Sequence, residues 1–313
     1  MGKVRFGQQV GNPSPSTAEV VHLILAQEAA GLVKYGPRAL EGHDIEAVHQ
    51  LRVKARRLRS ELEIVAPVIK VKELCELRTD LKWAGGVLGR ERDLDVLYEL
   101  LSSLSDGPSH SLDGTVLESI DDQRAKESRR VRKMIKSKRY REFVHGLSAA
   151  VLDPPLRPAA SRPASEVLHP GLNATLSSLF HSVDHYGPHP TNLELHQIRI
   201  LTKRGRYCAE VASSYLGERA TTVATTLAEA QGILGNIHDQ VGAIAYLSAQ
   251  RMLLDRDCTF VASSEAPSAA IDWLTKSVTG LKSLWREPLE RARILSHDLE
   301  VQPVRVRSFF ESV

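Results

Sequence analysis

"VHQLRVKARRLRSELEIV" (Val48–Val65) sets apolar Leu51, Ala55, Leu58, Leu62 and Val65 at steps of four, three, four and three. With 3.6 residues per turn, that spacing puts them on one face of an α-helix. The same stretch carries five Lys/Arg residues in the eight positions from Arg52 to Arg59. With His49 as zero and about 100° per residue, Arg52, Arg56 and Arg59 fall in an arc of roughly 80° beside it. The apolar seam is centred roughly 120° away. The basic stripe therefore flanks the buried face and sits at the rim of a helix–helix groove, whereas Arg57 projects from the other side.

A twin lies downstream. "LHQIRILTKRGRYCAEVA" (Leu195–Ala212) aligns with the first stretch at an offset of 147, matching His49/His196, Gln50/Gln197, Arg52/Arg199, Arg57/Arg204, Arg59/Arg206 and Glu63/Glu210. Arg56/Lys203 keeps the charge. A second block follows in both places: "LKWAGGVLGRERD" (Leu81–Asp93) meets "LAEAQGILGNIHD" (Leu227–Asp239) at an offset of 146. Two matched blocks in the same order indicate an internal duplication. Arg92 continues the apolar face of Leu81 and Leu88, and His238 takes the same place in the other copy. A cationic group on an inward face needs a partner or a polar cavity, because burying it alone is costly. Asp93 and Asp239 are expected to point elsewhere and brace other helices.

Helical periodicity runs through the whole chain, and convincing strand alternation is absent. Asp44 is a candidate N-cap for the first ladder helix, and Pro67 a stop. "VKELCELRTDLKWAGGVLGRERDLDVLYELLSSL" (71–104) reads as a long helix in which Gly85, Gly86 and Gly89 suit close helix approach. Gly107-Pro108 marks a loop, and one very basic helix is expected from there to about Leu147. "LDPPLRPAASRPASEVLHP" (152–170) holds five prolines and reads as a linker. Breaks are expected near Pro188–Pro190 and at Gly217. The expected plan is a flexible N-terminus (1–16), a first helical half (17–151), the linker (152–170), a second helical half (171–290) and a C-terminal tail (291–313). Each half has room for about four helices, the content of a bundle.

Composition bounds the function. The 313 residues carry 41 Lys/Arg against 38 Asp/Glu, so the ladders are local excesses within a nearly balanced chain. Cys75, Cys208 and Cys258 are far apart, which argues against a disulfide framework or a cysteine-based zinc site and fits a reducing cytoplasm. "VVHLILAQEAAGLV" (20–33) is interrupted by His22, Gln27 and Glu28, so no membrane span is expected. A cytoplasmic protein is expected.

Arginine forks suit phosphate or carboxylate oxygens, and several stripes in one groove suit a long anion better than a single phosphate. Single-strand nucleic-acid binders interleave aromatics for base stacking. Within the two ladders only Tyr207 is aromatic. The competing explanation for each stripe is a solvated, salt-bridged face, with Glu63 and Glu210 as i+4 partners of Arg59 and Arg206. A third basic run, Arg124–Phe143, has ten Lys/Arg and two Glu, with Arg129, Arg132, Lys136 and Arg139 on one face. It is either a surface helix or an extension of the positive surface. With Arg57, Arg204 and His238, these four residues form a candidate secondary basic surface. No P-loop, GxSxG or HExxH pattern occurs. His49 and His196 could be general acids or metal ligands, but no local ligand pair accompanies them.

"EAVHQLRVKARRLRSELE", "LGRERDLDVL", "SKRYREF", "LHQIRILTKRGRYCAE" and "LGNIHD" together resemble the conserved-histidine α-helical domain family, abbreviated CHAD, from about residue 17 to 290. The resemblance implies an all-α fold: two pseudo-symmetric antiparallel four-helix bundles around a basic central groove. It also implies non-enzymatic binding of inorganic polyphosphate, association with polyphosphate granules, and no cofactor. By residue match, the binding role falls to His49, Arg52, Arg56, Arg59 and Arg92 in one half. In the other it falls to His196, Arg199, Lys203 and Arg206. The second half departs from the pattern at Gly205, where leucine is preferred, and at His238, where the first half has Arg92. Two rival functions stay open: a metal-dependent polyphosphate or phosphate-ester hydrolase using His49 and His196, and a helical nucleic-acid binder.

Overall fold

The computed structural model describes residues 14–41, 45–105, 114–254 and 265–299. Asp44, Gly107-Pro108 and Cys258 lie outside them. Among the described residues, regular structure is helical apart from two isolated β-bridges. None of these helices is long and apolar enough to cross a membrane.

Local chemistry accounts for the helix ends. Ser16 opens α1 (Thr17–Leu40) with a capping box in which its hydroxyl accepts from the Glu19 N–H and its own N–H donates to the Glu19 carboxylate. Thr191 and Glu194 do the same for α8 (Asn192–Leu216). α7 (His169–Tyr186) and α8 stop at Gly187 and Gly217, whose φ angles of 68° and 65° suit glycine best. α2 (Ile45–Ile64) gives way to a 3₁₀ turn, Ala66–Val68, around Pro67.

The order of elements repeats. In the first half α1, α2, α3 (Val71–Ser105), α4 (Gly114–Ile135) and α5 (Lys138–Leu152) follow one another. After the short α6 (Ala164–Val167), the second half runs α7, α8, α9 (Glu218–Leu254), α10 (Glu265–Leu281) and α11 (Arg286–His297). Among the described residues each half thus runs through five helices, and in the first half the expected single basic helix breaks at Lys136–Ser137. There Ser137 caps α5 by accepting from the Tyr140 N–H.

Three apolar cores result. The first joins α1, α2, the front of α3, the end of α4 and α5, with Leu51, Ala55, Leu58, Leu62 and Val65 all fully buried. The second joins α7, α8, the front of α9 and α11, around Leu179, Ile198, Leu227 and Trp285. The third is shared: Leu101 and Leu104 of α3 and Val116 and Ile120 of α4 meet Ala243 and Leu247 of α9 and Ala270 and Leu274 of α10. The far ends of the two long hairpins therefore pack on each other, burying faces that neither half could cover alone.

Two boundaries differ from the sequence reading. The proline-rich stretch is packed against the first half: Leu156 bridges to Ile69 and Pro163 to Ser16, and Ala160, Ala164 and Leu168 enter the first core. α11 continues past residue 290, and Ala292 and Leu299 belong to the second core. The tail expected from 291 is thus helical as far as His297 and contributes the buried Ala292 and Leu299. Gly85, Gly86 and Gly89 do not mediate close approach, since a Cβ there would meet nothing within 4 Å.

Candidate functional site

α2 packs against α8, and α3 against α9, so the two copies of each matched block meet at the junction between the halves. The buried seams of α2 and α8 are drawn into separate cores, and this turns the flanking stripes toward each other. Arg52 feels Arg56 and Arg92 from its own half and Arg199 from the other. Lys203 feels Arg56, Arg199, Arg59 and Arg52. One cluster of like charge thus contains Arg52, Arg56, Arg59, Arg92, Arg199 and Lys203, with His49, His196 and His238 at its edges.

Electrostatics show the strain of that arrangement. Burial, then Arg56, Arg199, Arg59 and Arg52, lower the Lys203 ammonium to about 8. Burial followed mainly by neighbouring cations also lowers Arg52 and His49; at Arg199 Asp239 partly opposes it. His238 is lowered by burial, Arg199 and His196. The cluster also leaves buried polar atoms without hydrogen-bond partners: Nδ1 of His49 and His196, and Nε of Arg56 and Arg199. Buried polar groups are normally satisfied, so this concentration calls for an acceptor-rich ligand.

Two carboxylates temper the charge: both brace a neighbouring helix as expected, but they do so from within the cationic cluster. Asp93 lies 3.6 Å from the Arg52 guanidinium, and Asp239 faces Arg199 and His238. Open space borders the cluster. By helical angle, Gly85 and Gly89 lie within about 60° of Arg92, and Gly235 and Gly242 within about 60° of His238. A Cβ at any of these four glycines would touch nothing within 4 Å.

Other singled-out residues have different jobs. Arg57 stands in a buried network, 2.9 Å from Glu61, 3.0 Å from Glu210 and 3.7 Å from Glu28. Burial works against its charge, but Glu210, Glu61 and Glu28 hold its pKa above the usual value. Lys54 completes the network, 3.1 Å from Glu28. Arg57 therefore joins α2 to α8 and α1. Arg206 sits over the Tyr207 ring and 3.4 Å from Glu210, as the i+4 expectation had it. Glu63 instead pairs with Arg78, at 3.5 Å. Arg204, Arg129 and Lys136 are exposed.

The third basic run mostly serves α3. Arg139 donates to Asp80 at 2.8 Å and covers the Trp83 ring, and Arg124 donates to Asp95 at 2.9 Å. Arg132 donates to Ser128 and lies near Glu91, whose carboxyl is pushed up to about 7 by burial and by Asp95. Of the buried carboxylates, Glu28 stands out in the sequence only as a charge within an apolar run, and Glu61, Glu91, Asp95 and Glu127 look like ordinary charged helix residues.

The CHAD domain family model matches residues 23–248. Two uncharacterised proteins of Mycobacterium tuberculosis, from strains CDC 1551 / Oshkosh and H37Rv, are 25% identical over 240 residues. The match spans 74% of this chain but only 46% of those relatives' length. Among solved structures, PptA from Streptomyces chartreusis superposes with a TM-score of 0.67 at 20% identity, covering 90% of this chain and all of that one. The CHAD domain from the plant Ricinus communis gives 0.67 at 22% identity, covering 96% of this chain and 98% of that one. These structures share the fold, and the family match spans most of the chain, including both ladders: the chain belongs to the CHAD domain family.

Proposed function

We propose that the chain binds inorganic polyphosphate along the cationic junction between its halves. The observation that carries this reading is the convergence of two arginine ladders on one cluster whose buried donors lack acceptors. Packing like charges together is unfavourable, and a polyanion relieves the repulsion while accepting from Arg, Lys and His along its length. His49, Arg52, Arg56, Arg59 and Arg92 serve one half of the ligand path, and His196, Arg199, Lys203 and Arg206 the other. Binding without chemical turnover, in the cytoplasm and at polyphosphate granules, is part of the same proposal.

Two observations favour it over the rivals. Tyr207, the aromatic of the ladders, is buried beneath Arg206 and offers no face for a base. Among the described residues no group of three or more His, Cys, Asp or Glu is placed to hold a metal, so a metal-dependent hydrolase would rest on the histidines alone. Titration with long-chain polyphosphate and with single-stranded DNA of matched charge, each at two salt concentrations, tests the reading. Tighter binding to polyphosphate that weakens steeply with salt is expected, by analogy with counterion release from nucleic acids. Equal affinity for the two polymers would favour the nucleic-acid reading. Phosphate release with Mg²⁺ or Mn²⁺, abolished by His49→Ala, would favour the enzyme.

A further inference from the structure

At the second-half end of the cluster the His196 and His238 rings lie 4.8 Å apart, tilted by 33°. The matching place in the first half holds His49 and Arg92. A fixed cation is thus replaced by a second imidazole. Nδ1 of His196 is buried and has no hydrogen-bond partner. Gly235 and Gly242, on the His238 side of α9, leave the space beside the pair open. We infer that His196 and His238 form one phosphate subsite, which fills with uptake of a proton from solvent onto the imidazole pair. This inference rests on the polyphosphate reading.

The surroundings explain why the proton waits for the ligand. Facing His238 are His196 and Arg199 from α8, Asp239 from α9 and Asp93 from α3; Arg56 of α2 stands next beyond Arg199, and Arg92 of α3 beyond Asp239. In the empty site, burial and the nearby Arg199 keep His238 below its ordinary value. A phosphate group brought beside the rings, into the open space at Gly235 and Gly242, reverses that balance. Its charge attracts a proton onto the pair, and its oxygens accept from the N–H groups this creates. At the matched position the first half holds Arg92, so this paired-imidazole step belongs to the second half alone.

The sign follows from linkage. If the complex holds more protons than the free protein, affinity rises as pH falls through the histidine range. Lys203 titrates too, but near 8, so a Lys203→Arg background separates the two effects.

Calorimetry of the full chain with long-chain polyphosphate, in two buffers of different ionisation enthalpy at pH 6.5, counts the protons. Long chains keep the titratable end groups a small fraction of the ligand. In the Lys203→Arg background we expect uptake of roughly 0.5–1 proton per site, with affinity several-fold higher at pH 6 than at pH 8. Uptake should survive His49→Gln and vanish in His238→Gln, His196→Gln and His238→Arg. His238→Arg should also bind at pH 8 about as tightly as its parent does at pH 6, which a merely structural histidine would not predict. Uptake that persists in His238→Arg, or binding with no uptake, overturns the inference alone. Absence of binding at either pH overturns the polyphosphate reading and the inference with it.

Discussion

The two halves present the same ladder with different chemistry. Arg56 faces Lys203 across the duplication, Arg92 faces His238, and Leu58 faces Gly205. In the first half the first two of these positions hold arginine. In the second, two of the matched positions hold groups that can lose their charge, Lys203 near 8 and His238 below the ordinary imidazole value. Duplication preserved the direction in which the ladder points and let the kind of charge drift. What fixes that direction is the apolar seam, not the cations. The comparison can therefore be broken at the seam and sharpened at the charges.

The largest effect is expected at Leu58 and Gly205. Leu58 is fully buried in the first core, so Leu58→Gly combines a cavity with a loss of helix propensity and should cost on the order of 4 kcal/mol in urea unfolding. At Gly205 a new Cβ would already lie 3.3 Å from Leu176 and 3.5 Å from Leu227. Gly205→Leu should overpack and cost about 1–3 kcal/mol. A stabilising Gly205→Leu would mean that the two seams are interchangeable after all.

Next comes the network that joins the halves. Burial, then Glu28, push Glu61 up to about 7, well above an unfolded glutamate. The folded state therefore holds the extra proton between roughly 4.5 and 7, and stability should fall as pH rises through that window. Glu61→Gln should flatten this slope, by on the order of 2 kcal/mol across the window, in unfolding measured at a series of pH values. The residual slope is shared by Glu91, Glu28 and Asp239, whose carboxyls burial also raises. No change in slope on Glu61→Gln would show that the α1–α2–α8 network is solvated.

The smallest effect concerns Lys203. Above about 8 its ammonium loses its proton, so polyphosphate affinity should decline between pH 7.5 and 9. Lys203→Arg should abolish that decline while changing affinity at pH 7 by less than about threefold, because arginine stays charged. An unchanged pH profile would place Lys203 off the ligand path.

Much of this was legible beforehand, for a physical reason. Helical periodicity is written locally, so the seams, the stripes beside them and the duplication could be read from spacing alone. What spacing cannot show is which helix a given face will meet. Spacing places Asp93 to brace another helix, but it does not show that this helix is α2 or that the partner is the ladder residue Arg52. The third core depends on the hairpin ends of both halves and has no signature in either. The proline-rich stretch reads as a linker because proline disfavours helix, but its short helical turns and the bridge from Leu156 to Ile69 still bury Ala160, Ala164 and Leu168 in the first core. Arg57 and Arg139 read as candidates for a secondary basic surface, but a buried and a half-buried carboxylate, Glu61 and Asp80, take up their guanidinium groups.

The central claim is that both ladders serve one polyanion. Its most direct test is polyphosphate titration of Arg52→Ala, Arg199→Ala and the double variant at one moderate salt concentration, with helicity followed by circular dichroism. Each single variant should weaken binding roughly tenfold, and the double variant should lose far more than either while keeping its helices. A double variant that binds as tightly as the parent would contradict the account.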